Sequence, residues 1–415
     1  MSSILKLAAR NLLRYRRRTL LTSALIVIGV VAVLTFIAVS GSFKNMMVGT
    51  ITDSMLGHLQ VHRKGYVASI DSLPLNLNMS VPMVGRVEEA LKNRKDVLAY
   101  SHRVKFGAMF SNFAETTSIR VNGVDPAAEA ATTPLLPGRA RDVAKGEPIL
   151  ARGEILVPVL LARGLRVKAG DEVVLIATNQ DGSVNGKTFR VRSELESVTG
   201  PGGRDGYIHI EDARELLRMT RAEVSETAVR LASLDSVEAT AEALQTALSE
   251  LRNNQGAPVL DVHSWQRLSP FANVANMIDM LTLFIRFMLI AIVLVSVMNV
   301  MVMAVYERIR EIGTIAAIGT PPTKILGVFL SEGLLLGIVG CLAGLAASAA
   351  VVYGLNAAGL TFAFGQQSDL PLRGALHLRD VVQVGGMVVA IAVLASLQPA
   401  WKASRMDPID ALRHV

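Results

Sequence analysis

Along the chain, apolar residues gather into four long runs. Thr19 to Ser40 (TLLTSALIVIGVVAVLTFIAVS) and Phe287 to Val305 (FMLIAIVLVSVMNVMVMAV) carry no charge, and the second helix is expected to begin near Ile278. Ile325 to Tyr353 is interrupted by Glu332 alone, and Val381 to Ala400 has Gln383 and Gln398 near its ends. A helix needs about 20 apolar residues to cross the hydrocarbon core. The pattern therefore predicts spans over residues 19–40, 278–305, 325–354 and 381–400. Residues 41–277, between the first two, are polar enough to fold in water and contain no further span. The predicted fold is a membrane α-helical protein with four transmembrane helices and a large α+β extracytoplasmic domain between helices one and two. Ala38-Val39-Ser40 resembles a signal-peptide cleavage site. The apolar core before it is too long and its basic region too extended for that, so the run is expected to be a retained anchor.

Within 41–277 the periods change. Val81 to Leu91 reads as a helix, VLAYSHRVKFGAMF and TTSIRVNGVD as strands, VSETAVRLAS as a strand, Val237 to Leu251 as a periodic helix and VLDVHSW as a strand. The two flanks, about residues 58–130 and 222–268, are expected to pair as one α/β layer. The middle, 131–221, reads as a helix, a Gly-Asp turn and a β-hairpin tipped by Asp181-Gly182, a β-rich insertion.

Charge adds orientation. The chain is 51% hydrophobic, only 19% charged, and carries a formal charge of +7. Lys6, Arg10, Arg14, Arg16, Arg17 and Arg18 crowd one side of the first run without an acid among them. Such a cluster orients a span and excludes a nucleic-acid reading. Ile4, Leu5, Leu7, Ala8, Leu12 and Tyr15 alternate helically with these bases, which predicts an amphipathic helix on the membrane surface over residues 1–18. Positive-inside logic places the N-terminus, the loop 306–324 and the tail 401–415 (with Lys402, Arg405 and Arg413) in the cytoplasm. Residues 41–277 and the loop 355–380 then lie outside. The single cysteine, Cys341, allows neither a disulfide framework nor a cysteine metal site within one chain.

Candidate chemistry is sparse. Gly182 to Thr188 (GSVNGKT) resembles a phosphate loop, but its glycines are one residue too close and its flanks read strand to strand. His58 and His62 share a face of an extended segment, about 13 Å apart at strand rise and too far for one metal. The scattered carboxylates read as solvated surface. In the spans, Glu332 either serves a function or bonds a neighbouring helix, and Arg286 is expected to snorkel to the outer headgroups. Gly333, Gly337, Gly340 and Gly344 predict close helix packing, within the chain or with a partner. The loop between spans two and three holds VYERIREIGTIAAIG, an amphipathic helix with Ile309, Ile312, Ile315, Ala316 and Ile318 on one face and Arg308, Arg310 and Glu311 off it.

ERIREIGTIAAIGTPPTKILGVFLSEGLLLGIVGCLAGL resembles the signature segment of the FtsX-like permease family, the four-span subunits of MacB-type (type VII) ABC transporters, including lipoprotein-releasing permeases. AARNLLRYRRRTLLTSALIVIGV, ILVPVLLARGLRVKAGDEVVLIA and QPAWKASRMDPIDALR resemble the family's N-terminal helix, outer-domain segment and ending. The resemblance implies porter-like flanks, a sabre-like middle, and a coupling helix that contacts a cytoplasmic ATPase through Glu307, Arg308, Arg310, Glu311, Gly313, Ala317 and Gly319. It implies a dimer of permease chains, identical or paralogous, on an ATPase dimer in a bacterial inner membrane. The chain has no complete phosphate-binding loop, so ATP and Mg are expected on the partner, and this chain is expected to be non-catalytic with no cofactor of its own. The leading expectation is lipoprotein release or export of periplasmic substrates, with a periplasmic lipoprotein or adaptor as partner; the alternative is ATP-driven signalling that activates an envelope hydrolase. An apolar or lipidated client would favour transport, and a soluble hydrolase would favour signalling.

Overall fold

A computed structural model describes residues 2–14, 16–144, 146–196, 203–253, 255–364 and 367–407. In chain order the elements are α1 (Ser2–Arg14), α2 (Arg16–Ile51), β1 (Leu59–Arg63), α3 (Val81–Lys92), β2 (Val97–Ser111), β3 (Thr116–Val124), α4 (Pro126–Thr132), α5 (Leu136–Arg139), β4 (Glu154–Pro158), α6 (Val159–Leu165), β5 (Glu172–Thr178), β6 (Val184–Leu195), β7 (Asp205–His209) and α7 (Ile210–Leu216). There follow β8 (Glu226–Leu231), α8 (Val237–Leu248), β9 (Leu260–Ser264), α9 (Trp265–Leu268), α10 (Phe271–Glu307), α11 (Ile309–Ala317), α12 (Pro322–Ala357), the hairpin β10 (Thr361–Phe364) and β11 (Gln367–Pro371), and α13 (Leu378–Ser404). They form two compact units. One comprises Met1–Lys44, Asn276–Thr361 and Pro371–Val415, the other Asn45–Ala275 and Phe362–Leu370.

In the helical unit, α2, α10, α12 and α13 are each long and apolar enough to cross a membrane. All four extend past the predicted spans, α2 to Ile51 and α10 from Phe271. Hydropathy marks where lipid begins, whereas a helix ends only where its backbone is capped or broken. The buried face repeats at three and four residues. It takes Ile26, Val30 and Leu34 from α2, Leu289, Val293, Val297 and Met301 from α10, and Val384, Val388 and Ala392 from α13. The opposite face of α10 exposes Met280, Phe284, Phe287 and Met288, a surface suited to lipid as solvent.

The α/β unit is one nine-stranded sheet in the order β3-β7-β4-β6-β5-β2-β8-β1-β9, with β3 also paired to β2. That extra pairing closes β2-β3-β7-β4-β6-β5 into a six-stranded ring. The 15-residue β2 makes this possible. Its first half pairs with β8 over Val97–Arg103, and its second half with β3 over Arg103–Ser111 and β5 over Ala108–Ser111. The flanks and the middle of the domain, expected as a layer and an insertion, thus share one continuous sheet. Inside the ring, alternate residues Phe106, Phe110, Val173, Leu175, Phe189 and Val191 are buried, as period-two alternation requires. The β5–β6 hairpin turns at Gly182, whose φ of 82° is the left-handed conformation that glycine adopts without strain.

Candidate functional site

The predicted loop helix is α11, and it is set off at both ends. Arg308 leaves helical geometry (φ −115°, ψ 17°) after α10, and Gly319 has a φ of 91° before Pro321 and Pro322 open α12. Nine residues therefore stand as a short separate rod between two bends. Of the residues expected on its partner-facing surface, Glu307, Arg310, Glu311, Ala317 and Gly319 are exposed. Arg308 and Gly313 are not. Gly313 is buried with Ile312, and Arg308 is only 5% exposed. The expected apolar face also divides, because Ile312 is buried while Ile315 and Ile318 remain 45% and 80% exposed.

Arg308 turns inward because a carboxylate waits there. Its Nη1 donates to Glu332 Oε1 at 2.9 Å, and Asn11 Nδ2 from α1 donates to the same oxygen at 2.7 Å. Glu332 is 1% exposed. A lone charge in this position is costly, and a charge-assisted hydrogen bond to a buried guanidinium offsets that cost. Arg14 of α1 approaches Glu311 of α11 at 3.6 Å. α1, α11 and α12 are thus joined by polar contacts at one end of the bundle.

A second polar cluster lies elsewhere along α10. Arg286, expected to reach the headgroups, instead approaches Asp380 of α13 at 3.3 Å and Gln383 at 3.4 Å. Lys44 of α2 pairs with Asp279 of α10 at 2.6 Å. Asp380 lies just before the fourth predicted span and Asp279 at the start of the second, where hydropathy alone does not reveal a partner. From Arg286 to Arg308 a helix rises about 33 Å, close to the hydrocarbon thickness of about 30 Å.

Gly333, Gly337, Gly340 and Gly344 of α12 do not face one neighbour. A Cβ on Gly333 would lie 2.6 Å from Ser396 Cβ, and one on Gly337 2.8 Å from Ala392 Cβ, both in α13. A Cβ on Gly340 would meet Ile26 Cβ at 2.9 Å, and one on Gly344 would meet Val30 Cβ at 2.7 Å, both in α2. Their absent side chains let α12 lie against both helices at backbone distance.

The α/β unit buries a charged cluster that lies outside the candidates read from the sequence. Arg103 of β2 donates to both oxygens of Glu129 at 3.0 and 2.6 Å and to Glu226 Oε1 at 2.9 Å. Lys105 donates to the other oxygen of Glu226 at 3.1 Å, and the ring of His62 lies 3.4 Å from it. Glu129 and Glu226 are fully buried, which corrects the expectation that the carboxylates are solvated surface. Asp125 and Pro126 carry the overlooked signal. The Asp125 carboxylate caps α4 by accepting from Ala127 and Ala128 backbone N–H groups, and Pro126 fits the first turn. The helix they start carries Glu129 to Arg103. Burial alone would raise the Glu226 pKa, but Lys105, His62 and Arg103 hold it well below the usual carboxylate range. Burial would lower that of Arg103, yet Glu129 and Glu226 raise it. Tyr66, stacked 5.2 Å from His62, is pushed upward by burial.

The remaining sequence candidates have local partners. His62 lies in strand β1, and His58, just before it, approaches Asp53 at 3.3 Å. The glycine-rich GSVNGKT occupies the hairpin and the start of β6, where Lys187 pairs with Asp212 and Glu215. Among the described residues no group of three or more His, Cys, Asp or Glu side chains is placed to hold a metal. The end of QPAWKASRMDPIDALR, from residue 408, lies outside the described residues.

Comparison with known proteins places this arrangement. The FtsX-like permease C-terminal model matches residues 283–408, and the MacB-like periplasmic core domain model matches residues 19–247, more than half of the chain. The lipoprotein-releasing system transmembrane protein LolC of Neisseria meningitidis is 24% identical over 95% of this chain and 94% of its own length. The permease YtrF of Bacillus subtilis is 36% identical over 27% of each chain. The macrolide export ATP-binding/permease protein MacB of Syntrophobacter fumaroxidans is 36% identical over 27% of this chain and 14% of that one. A crystal structure of the periplasmic region of MacB from Actinobacillus actinomycetemcomitans superposes on 51% of this chain and 92% of that chain at a TM-score of 0.36 and 10% identity. With the two family models matching in order along a chain of four spans, this protein belongs to the MacB-type, FtsX-like family of ABC transporter permeases.

Proposed function

We propose that this chain is the membrane subunit of a lipoprotein-releasing or periplasmic export complex, driven by ATP hydrolysis on a separate cytoplasmic ATPase. The observation that carries the reading is α11, a short rod between two bends with Glu307, Arg310, Glu311, Ala317 and Gly319 on its exposed surface. In this reading the α11 end of the bundle and both termini are cytoplasmic. The α/β domain is periplasmic, and the membrane is the bacterial inner one. Two permease chains, identical or paralogous, stand on two ATPases that hold the ATP and Mg. Closure of the ATPases tilts α11, and the spans carry that motion to the periplasmic domains. Lipoprotein release is favoured over hydrolase activation because the LolC of Neisseria meningitidis matches this chain along nearly its whole length.

The test uses exposed residues, since Arg308 is committed to Glu332. Arg310→Glu combined with Ala317→Glu places new negative charge on the outer surface of α11. The ATPase recovered per permease in mild detergent is expected to fall about tenfold, the equivalent of about 1.4 kcal/mol of binding. Insertion and thermal stability are expected to stay unchanged. Undiminished recovery would remove α11 as the docking element. Mass spectrometry of the wild-type preparation is expected to find a lipidated client rather than a soluble hydrolase.

A further inference from the structure

Resting on the reading of α11 as the docking element, we infer that Arg308 and Glu332 are a positioning pair that couples tilting of α11 to α12 and α1. Two bends isolate α11 from regular helix on both sides, at Arg308 and at Gly319. A segment hinged in this way can rock without dragging its neighbours unless something ties it to them. The tie is a buried one. Arg308, at the pivot itself, is bonded to Glu332 at 2.9 Å, ten residues into α12, and the same carboxylate oxygen accepts from Asn11 of α1 at 2.7 Å. Between α1, α11 and α12 lies a recess of about 290 Å³ lined by Leu7, Ile312, Ile315, Ile325 and Phe329, which leaves α11 space to tilt on that side while Ile312 keeps it in the apolar core.

Glu332 is also placed to pass on what it receives. The next residue, Gly333, sits against Ser396 and Ala392 of α13 with no room for a Cβ, and Gly340 and Gly344 sit equally close to Ile26 and Val30 of α2. Displacement of α12 is therefore not absorbed in loose packing, since close-packed interfaces shift as units. Without the pair, α11 would still offer its docking surface, but its tilt would reach α12 only through the apolar packing of Ile312 and the linker Ile318 to Pro321, and α1 only through the exposed Arg14–Glu311 contact. This assigns Glu332 a role in coupling rather than in substrate binding, and it removes Arg308 from the ATPase-facing surface.

The test is hydrogen exchange on the permease reconstituted in nanodiscs with the ATPase that co-purifies with it, nucleotide-free and trapped with ATP and vanadate. In the wild type, trapping is expected to change exchange in α11, in α1 and in the first three turns of α12 by about threefold or more. Arg308→Met with Glu332→Leu removes the link without leaving a buried charge, so the bundle is expected to fold. In that variant the α11 response should persist while the α12 response falls at least threefold and the α1 response weakens to what the exposed Arg14–Glu311 contact carries. Arg308→Lys, which keeps the charge, should restore them in part. A purely structural pair would alter exchange equally in both nucleotide states and leave the response intact. An α12 response undiminished in the double variant, or a wild type that responds in α11 alone, overturns the inference while leaving docking untouched. A wild type that recovers no ATPase, or whose α11 does not respond, overturns the docking reading and the inference with it.

Discussion

Replacing Arg103 by leucine is expected to destabilise the α/β domain by about 3–5 kcal/mol, the usual cost of breaking a buried ion pair from one side. Among the described residues, the variant leaves Glu129 with no cation and Glu226 with only Lys105 and His62, both carboxylates being fully buried. For a domain of this size such a loss lowers the melting temperature by about 10 °C. Thermal unfolding of the full chain, followed by proteolysis of the domain, would register it. Removing all three charges together, as Arg103→Met, Glu129→Leu and Glu226→Leu, should cost less than the single change, because no fully buried charge remains unpaired and Lys105, 19% exposed, can turn to water. A single variant as stable as wild type would mean that water reaches these carboxylates.

The same cluster sets an acid limit. The Glu226 pKa is depressed in the folded domain, so its contribution is fully present above the unfolded value near 4.5 and is lost as pH falls through the folded value. Melting temperature is therefore expected to be insensitive to this group between pH 8 and 6 and to fall only in strong acid. In Arg103→Leu, Glu226 has one cation fewer, so the decline should begin at a higher pH.

Adding a side chain to the glycine seam is the second change with a large expected effect. Gly340→Leu and Gly344→Leu each push carbon against Ile26 Cβ or Val30 Cβ, atoms fixed to the α2 backbone that no rotamer change can move aside. Overpacking of this kind typically costs about 1–3 kcal/mol per site, and the two together should separate α12 from α2. Gly354 lies on the same helix with nothing within 4 Å of its Cβ position. Gly354→Ala is thus expected to be neutral or stabilising by about 0.5–1 kcal/mol, because alanine fixes helical backbone at less entropic cost than glycine. Melting curves in detergent for the three variants would show opposite signs along one helix. A Gly340→Leu chain that melts like wild type would show the seam to be loose.

The sequence by itself determined what depends on local chemistry. Four spans follow from continuous runs of apolar residues, because lipid demands them residue by residue. The strand at Val97–Ser111 and the helix at Val81–Lys92 follow from period, and the turn at Asp181-Gly182 from glycine's freedom at positive φ. The helix between spans two and three was visible from its isoleucine spacing, and Gly333, Gly337, Gly340 and Gly344 marked close packing. Which helix each glycine meets was not visible. Gly333 and Gly337 turn to α13, and Gly340 and Gly344 to α2, because small residues permit contact without choosing the neighbour.

Only the tertiary structure decided the charges. Arg308 and Arg310 both read as surface bases, yet the break before α11 turns Arg308 to Glu332, 24 residues away, and leaves Arg310 outside. Glu226 looked like any exposed acid. The pairing of β8 sets it opposite His62 of β1 on one side and Arg103 of β2 on the other, and Lys105 follows on the same face two residues along. These partners stand 121 to 164 positions from Glu226, and no local pattern connects them. Strand register brings them together, and register is fixed by how entire faces bury their apolar residues.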